Sequence, residues 1–588
     1  MTSHGVNRTW RYGFVRLDGR VLVLVNRTDV GGRWVQAQLS PALRHLGIPY
    51  RFWDMSTGMP GPAILASVAA VLVAQDGLTG DLNESQLSSL LTAVEAGTGL
   101  VSLDGMLNTA AEGYRAAVGV NPTPAPRRAA ATQLRIAAET GFITHERPRP
   151  EVVWCRRPLR IIELGLRPNA VVYVSDDQDR PVMWSVRHGA GRVVQWSVSP
   201  LVWGQDTIGF GFGLDDLLWR AIAWAARKPF VTMPLPPYTR LRFDDCQGLW
   251  RNAEDFAFVD VLNAHGHVPS LFVCLSSITD SGAARMRQLV AAGRAEFSPH
   301  VIRPDVGLYL GDAAHTYTKD EIQSNFREID SHFARWGIPI APVIADHNHE
   351  YSTLAVPEFA RRGMRYRINV TAPDEHWFDE HRDWHPAPYD LTSYAIDEIP
   401  GTGIVAVLNH FSPFMFARTQ TGPNAFMFDR DGSFGDVIWD FLNGLAGEGG
   451  RFDVESSVAR FALHERRAIQ GGFVGGSISH SHWMRFLTAA QLDDLLTRVD
   501  QENRGVERRP TTASESAQRA DDHRRSRLAQ VRISGNAVSA RILGDPTIVP
   551  ELRIYRDGAD GETTSAWYVP EAHRDNRGIT ARVSLDVQ

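Results

Sequence analysis

The chain has 588 residues, 43% hydrophobic and 22% charged, the composition of a folded globular protein long enough for about three or four domains. With 61 Lys and Arg against 67 Asp and Glu, the formal charge of −6 gives no reason to expect nucleic acid or an anionic membrane as a partner. Cys155, Cys246 and Cys274 lie far apart without C-x-x-C spacing, which argues against a disulfide framework or a cysteine zinc site and leaves at most one bridge open.

The opening MTSHGVNRTWRYGF lacks the apolar core of a signal peptide, and no stretch approaches the roughly 20 apolar residues of a spanning helix. The expected location is cytoplasmic, or secreted if a leader has been removed. From 20 to 228 the pattern alternates between strands and helices. Residues 21–25 and 69–74 are continuous apolar runs, as in strands buried on both faces of a parallel sheet. Between them 39–46 reads as helix. Leu87, Leu90, Leu91 and Val94 then recur with helical spacing before Gly97, and 99–103 is a third strand ending in Asp104-Gly105. The stretch HGAGRVVQWSVSP, 188–200, reads as a glycine turn and a closing strand.

Residues 231–238, VTMPLPPY, have the texture of a linker. Beyond it, strand candidates at 241–243, 270–275, 296–302, 339–345, 366–370, 403–408 and 473–478 alternate with helices. Ile322, Phe326, Ile329 and Phe333 form an apolar stripe behind a Thr318/Glu321 capping box, and Gly337 ends that helix. Thr488 with Gln491 caps a second, leucine-striped helix, and Ser352 caps a third. This order predicts a parallel β/α architecture closing as a barrel. From 507 to 527 arginines are interleaved with Glu515, Asp521 and Asp522, which predicts a solvated helix. Alternation on either side of Gly535-Asn536, with turns at Asp557-Gly558 and Asp560-Gly561, predicts a small all-β module. The expected organisation is an α/β domain over 1–230, a β/α barrel over 231–527 and the β module over 528–588.

The chemistry centres on YTRLRFDDCQG, 238–248. Leu241 and Phe243 are two apart, as a half-buried strand requires, so Asp244 and Asp245 fall where the strand leaves the sheet, the end at which barrels keep their reacting groups. Histidines stand at the ends of later strand-like runs: His300, then His347 and His349 beside Glu350 and Tyr351, His410, and His480 with His482. One carboxylate and two imidazoles hold a divalent ion with open positions, which lowers the pKa of water and polarises an amide carbonyl. A second carboxylate can then take a proton from water and a histidine can protonate the leaving amine. Mixed His and Asp ligands make Zn2+ the first ion expected.

Two resemblances follow from these residues. The order of elements over 20–228 resembles the class I glutamine-amidotransferase-like fold, flavodoxin-like in topology. GTGLVSLDG occupies the segment where that family carries its nucleophilic cysteine; here Asp104 is the nearest equivalent, so the resemblance implies a structural or substrate-orienting domain without that activity. The second region, on RFDDCQG and EFSPHVIRP, resembles the polysaccharide deacetylase family, the chitooligosaccharide-deacetylase-like metal-dependent carbohydrate esterases. That resemblance implies a distorted β/α barrel, Asp244 as general base, and Asp245 and His300 as metal ligands. Four residues after His300, where the family has a second histidine, stands Pro304. His315 in GDAAHTYTKDEI is therefore expected to supply the ligand, with His347 or His349 as fallback. His347, His349, Glu350 and Tyr351 replace an Arg-Pro-Pro-Tyr-like stretch that lines the family's site, Asp383 and Trp384 resemble its Asp-x-Trp wall, and His410 is a further substrate-side candidate. His480, ahead of His482, is expected as general acid. The function implied is a hydrolase removing N-acetyl groups from an amino sugar in an oligosaccharide, polysaccharide or glycoconjugate. The alternatives are an inactive carbohydrate-binding protein on the same scaffold and a glycoside hydrolase, which needs two acids roughly 5–10 Å apart across a cleft.

Overall fold

The computed structural model describes residues 18–585 apart from 124, 205–206, 209–213, 250–253, 304–305, 312–313, 348–349, 369–373, 375–395, 400, 408–453, 482–483, 485–486, 535, 560 and 577; at 156, 396–397, 454–457, 459–460, 464 and 477–480 it describes the backbone alone. The chain is a mixed α/β protein with several sheets. The apolar runs near the start become the parallel half of a nine-stranded sheet, in which Asp18–Val25 lies between Tyr50–Asp54 and Val68–Val73, and Gly99–Ser102 and Gly191–Trp196 follow. The helix over Val30–His45 is twice as long as the sequence pattern indicated, because Asp29 caps it by accepting from the Gly31 N–H. The sheet then turns antiparallel through Pro181–His188, Val171–Asp176, Arg127–Ile136 and Glu151–Glu163. This half corrects the alternating strand-and-helix reading. Its outer strands alternate exposed and buried residues, the pattern of a sheet covered on one face.

Asp104 is fully buried and accepts from the Gly77, Thr79 and Met106 N–H groups and the Thr79 hydroxyl at 2.6–2.9 Å. It ties two loops together at a strand end. The three cysteines are free. The expected linker is partly a strand: Phe230–Thr232 pairs antiparallel with Leu552–Asp557, adding an edge to a late β-sheet before the prolines begin.

In the middle region Tyr238–Cys246, Ser270–Cys274, Glu296–Arg303 and Gly475–His480 are parallel neighbours in one sheet. Val343–Ile344, Tyr366–Arg367 and Val405–Val407 are parallel neighbours in a second. Leu241 and Phe243 point to an apolar layer shared with the Lys319–Trp336 and Ala489–Glu502 helices, both started by the expected capping boxes. Arg240 and Arg242 alternate with them and point the other way, bridging to the second sheet: Arg240 donates to the Val407 carbonyl at 2.7 Å and Arg242 to that of Ile368 at 3.2 Å. The space between the sheets thus mixes buried arginines with small apolar clusters, such as Phe272 against Val343 and Ile368, while the outer layer is apolar.

The helix expected to be solvated runs over Ala513–Arg524 and buries one face. Ala513, Ser516, Ala517 and Ala520 are inaccessible, and Asp521 is inaccessible too, taking the Arg365 guanidinium at 3.0 Å. Asp521 and Asp522 also pair locally with Arg524 and Arg525, so the distant contact to Arg365 is what a reading of local charge order misses. The hairpin Arg527–Ser534 with Ala537–Leu543 forms where the alternation placed it. No helix among the described residues is long and apolar enough to cross a membrane.

Candidate metal centre

Adjacent strand residues point to opposite faces, so the Asp244-Asp245 pair needs a local break to act together. The break is a β-bulge. The strand advances from Phe243 to Cys246 while its neighbour advances only from Leu271 to Val273, and Asp245 takes a left-handed conformation, φ 50°. Asp is one of the few residues with a side chain that enters that region readily. A second bulge lies at the same level across the Ser270–Cys274 strand, where Pro299 to Val301 opposes only Val273 to Cys274. The extra residue there is His300. Two neighbouring bulges therefore turn an acid and an imidazole into the same space.

The His300 Nδ1–H donates to the Ala345 carbonyl at 2.6 Å. With Nδ1 committed to that carbonyl, Nε2 faces the carboxylates, 3.5 Å from Asp245 Oδ1 and 3.9 Å from Asp244 Oδ2. His347 follows the Val343–Ile344 strand of the second sheet, its ring perpendicular to His300 with centroids 5.4 Å apart. One ligand atom from each of Asp245, His300 and His347 lies within 4.8 Å of the others. Lone pairs converging in this way, with the second nitrogen of one imidazole fixed by a carbonyl, fit a divalent cation.

Asp244 is held beside this cluster. Arg242, two residues back on the same face, donates from Nε to Oδ1 at 2.6 Å and from a terminal nitrogen to Oδ2 at 2.5 Å, with both side chains buried. Residue spacing alone could have exposed this pair, since i and i+2 share a face of a strand. Behind His347, Asp346 and Arg367 form a second bidentate pair, both fully buried. The Arg367 guanidinium lies 4.4 Å from the Tyr351 ring centroid.

The other expected residues fall in three groups. His315 is not in the cluster. Its loop doubles back through a Gly311–Thr316 bridge and a Tyr317 to Leu310 hydrogen bond, leaving the side chain 60% exposed with Nε2 2.8 Å from Glu321, the acid of the capping box. The Thr318 N–H, with His315 and the Thr318 hydroxyl, holds the Glu321 carboxyl down at about 2. His315 thus belongs to a helix start, and the fallback His347 stands where it was expected. Tyr351 is fully buried with its ring beside the Arg367 guanidinium, and Glu350 is nearly so. Finally, His349, Asp383, Trp384, His410 and His482 lie outside the described residues, and of His480 only the backbone is described, its Cα pairing with that of Asp244 across the parallel strands.

No profile of a known protein family matches the chain, and no curated protein matches it in sequence. Among solved structures it is similar to a provisionally assigned polysaccharide deacetylase from Mycobacterium smegmatis, 10% identical over 50% of this chain and 92% of that one, with a TM-score of 0.30. It is similar to a provisionally assigned ThuA-like protein from Bacteroides uniformis, 12% identical over 37% of this chain and 95% of that one, at 0.27. The exo-β-1,4-mannosidase Op5Man5 from an Opitutaceae bacterium is 17% identical over 35% of this chain and 36% of that one, at 0.24. Likenesses this distant carry no argument about activity.

Proposed function

We propose that the protein is a metal-dependent carbohydrate N-deacetylase whose catalytic unit is a distorted β/α barrel over about 231–527, between an amidotransferase-like unit over 1–230 and an all-β unit over 528–588. The observation that supports this reading is the convergence of Asp245, His300 and His347 at the ends of neighbouring strands, beside a second buried carboxylate. Those three residues would hold the ion, and an N2O donor set favours zinc. When bound, the ion supplies Lewis acidity toward an amide carbonyl and acidifies water.

Asp244 accepts the proton from the attacking water. Arg242 donates to both of its oxygens, which orients the carboxylate for that task. His480, opposite Asp244 in the strand pairing, or His482 protonates the departing amine. His349, Asp383, Trp384 and His410 are proposed as the wall against the N-acetylated amino sugar.

Acetate release from N-acetylglucosamine oligomers tests the proposal. The parent chain with added zinc, cobalt or manganese should release acetate, and Asp245→Ala and Asp244→Asn should lose the activity while remaining folded. Sugar binding with no acetate released under any of the three ions would refute the hydrolytic reading.

A further inference from the structure

A cleft lies where late strands of the chain meet the Asp215–Ala225 helix and the segments around Thr232 and Gln470. It is remote from the metal centre. Pro237 and Gly472 line it, just before the Tyr238–Cys246 and Gly475–His480 strands begin, whereas Asp245 stands near the far end of the first. At 3.3 Å per residue, the path from Pro237 to Asp245 spans roughly 26 Å.

Its walls are aromatic: Trp219 from the Asp215–Ala225 helix, and Tyr555 and Trp567 from two late strands. Arg553 sits among them, its guanidinium carbon 5.3–5.6 Å from each of the three ring centroids. Its Nε donates to the Ser565 hydroxyl at 3.0 Å, and no carboxylate among the described residues pairs with it. The other charges on the wall are committed: Glu146 binds Arg220 at 2.5 Å, and Glu507 accepts from Arg509 and from the Trp567 indole N–H. Two further polar side chains line the cavity in a state proteins avoid. Gln470 and Thr232 are each 97% buried, and the amide oxygen, the amide nitrogen and the hydroxyl have no hydrogen-bond partner among the described residues. The Gln470 backbone is held in place, since its carbonyl accepts the Trp219 indole N–H at 2.7 Å.

We propose that this junction binds a small saccharide bearing a single carboxylate, of the uronic-acid type. The uncommitted guanidinium takes the carboxylate in a bidentate pair. The Gln470 amide and the Thr232 hydroxyl satisfy ring hydroxyls, and the aromatic walls receive the C–H face of the sugar. Among the described residues lining the cleft, one cation without an ion pair between two carboxylates matches one negative charge and disfavours the several charges of a nucleotide phosphate chain.

Calorimetric titration of the full chain carrying Asp245→Ala, in which the metal centre is disabled, separates this site from the proposed catalytic one. Methyl glucuronide and methyl glucoside are the probes, differing only in the carboxylate. The glucuronide should bind with a Kd of about 1 mM or tighter and the glucoside at least about tenfold more weakly. Arg553→Gln and Gln470→Leu, each checked for an unchanged melting temperature, should weaken glucuronide binding about tenfold or more. Absence of glucuronide binding, equal affinity for the two probes, or full affinity in Arg553→Gln would overturn the proposal.

Discussion

Replacing Arg367 by Met would test whether the metal centre is held from behind by a buried ion pair. Arg367 and Asp346 are both fully inaccessible and joined by two hydrogen bonds of 3.0 and 2.6 Å. Asp346 stands between Ala345, whose carbonyl fixes the His300 ring, and His347. Truncation takes the guanidinium and its two hydrogen bonds away from a buried carboxylate, a defect that costs about 3–5 kcal/mol, whereas removing both charges with an apolar pair of similar volume is often neutral. Arg367→Met should therefore lose about 3–5 kcal/mol, and Asp346→Leu/Arg367→Met should recover most of it. A chain of this size unfolds in more than one step, so the assay is urea denaturation with and without zinc, reading the transition that zinc shifts. Zinc affinity, read in the same titrations, should fall in the single variant, because Asp346 lies between Ala345 and His347 in the chain and its displacement moves both. A single variant within about 1 kcal/mol of the parent, or a double variant no more stable than the single, would refute the reasoning.

Zinc affinity separates the two histidines that compete for the third ligand position: His347→Ala should lose about 100-fold or more, and His315→Ala should stay within about threefold of the parent, by competition with a chromogenic chelator. Acid stability reports on His45 and His523. Burial, and for His45 the neighbouring His523, pushes the two rings from the ordinary 6.5 down to about 3 and about 4. The unfolded chain takes up these protons first, so stability is full above pH 6.5 and falls as pH drops toward 4, by up to about 1.4 kcal/mol per pH unit for each ring. Denaturation midpoints measured from pH 7 to 5 should show a shallower slope in His523→Gln, and equal slopes would count against the assignment. Gly476 has φ 111°, and a Cβ there would lie 1.8 Å from the Arg240 carbonyl oxygen, so Gly476→Ala should cost about 3 kcal/mol, seen as a lowered melting temperature; an unchanged melt would contradict it.

Features set by neighbours in sequence were legible before the structure. The capping boxes at Thr318 and Thr488, the buried runs of the first sheet and the strand ending at Asp244 and Asp245 all follow from spacing within a dozen residues. What escaped was decided across long separations. Phe230–Thr232 looks like a linker because its partner strand begins at Leu552, and Asp521 looks solvated because Arg365 is far away in sequence. The choice between His315 and His347 is of the same kind. Each follows a plausible turn, and only the return path of the loop through Gly311 and Thr316 decides which ring reaches the first sheet.

The paired acids show how one local irregularity can carry a division of labour. In a regular strand Asp244 and Asp245 would face opposite layers, and the Arg242 side of the sheet would receive only Asp244. The bulge and the left-handed turn at Asp245 swing its carboxylate round to His300 without releasing Asp244 from Arg242. A non-glycine residue in that region costs roughly 1–2 kcal/mol, and such strain persists only where surrounding contacts over-determine it. Here the Ser481 hydroxyl donates to the Asp245 carbonyl at 2.9 Å, holding the turn from the neighbouring strand. The result is two carboxylates with different surroundings, one neutralised by a guanidinium and one facing imidazole, from residues adjacent in sequence. That difference is what assigns the proton to Asp244 and the metal to Asp245 in the proposed reaction, and it would vanish if the strand ran on without the bulge.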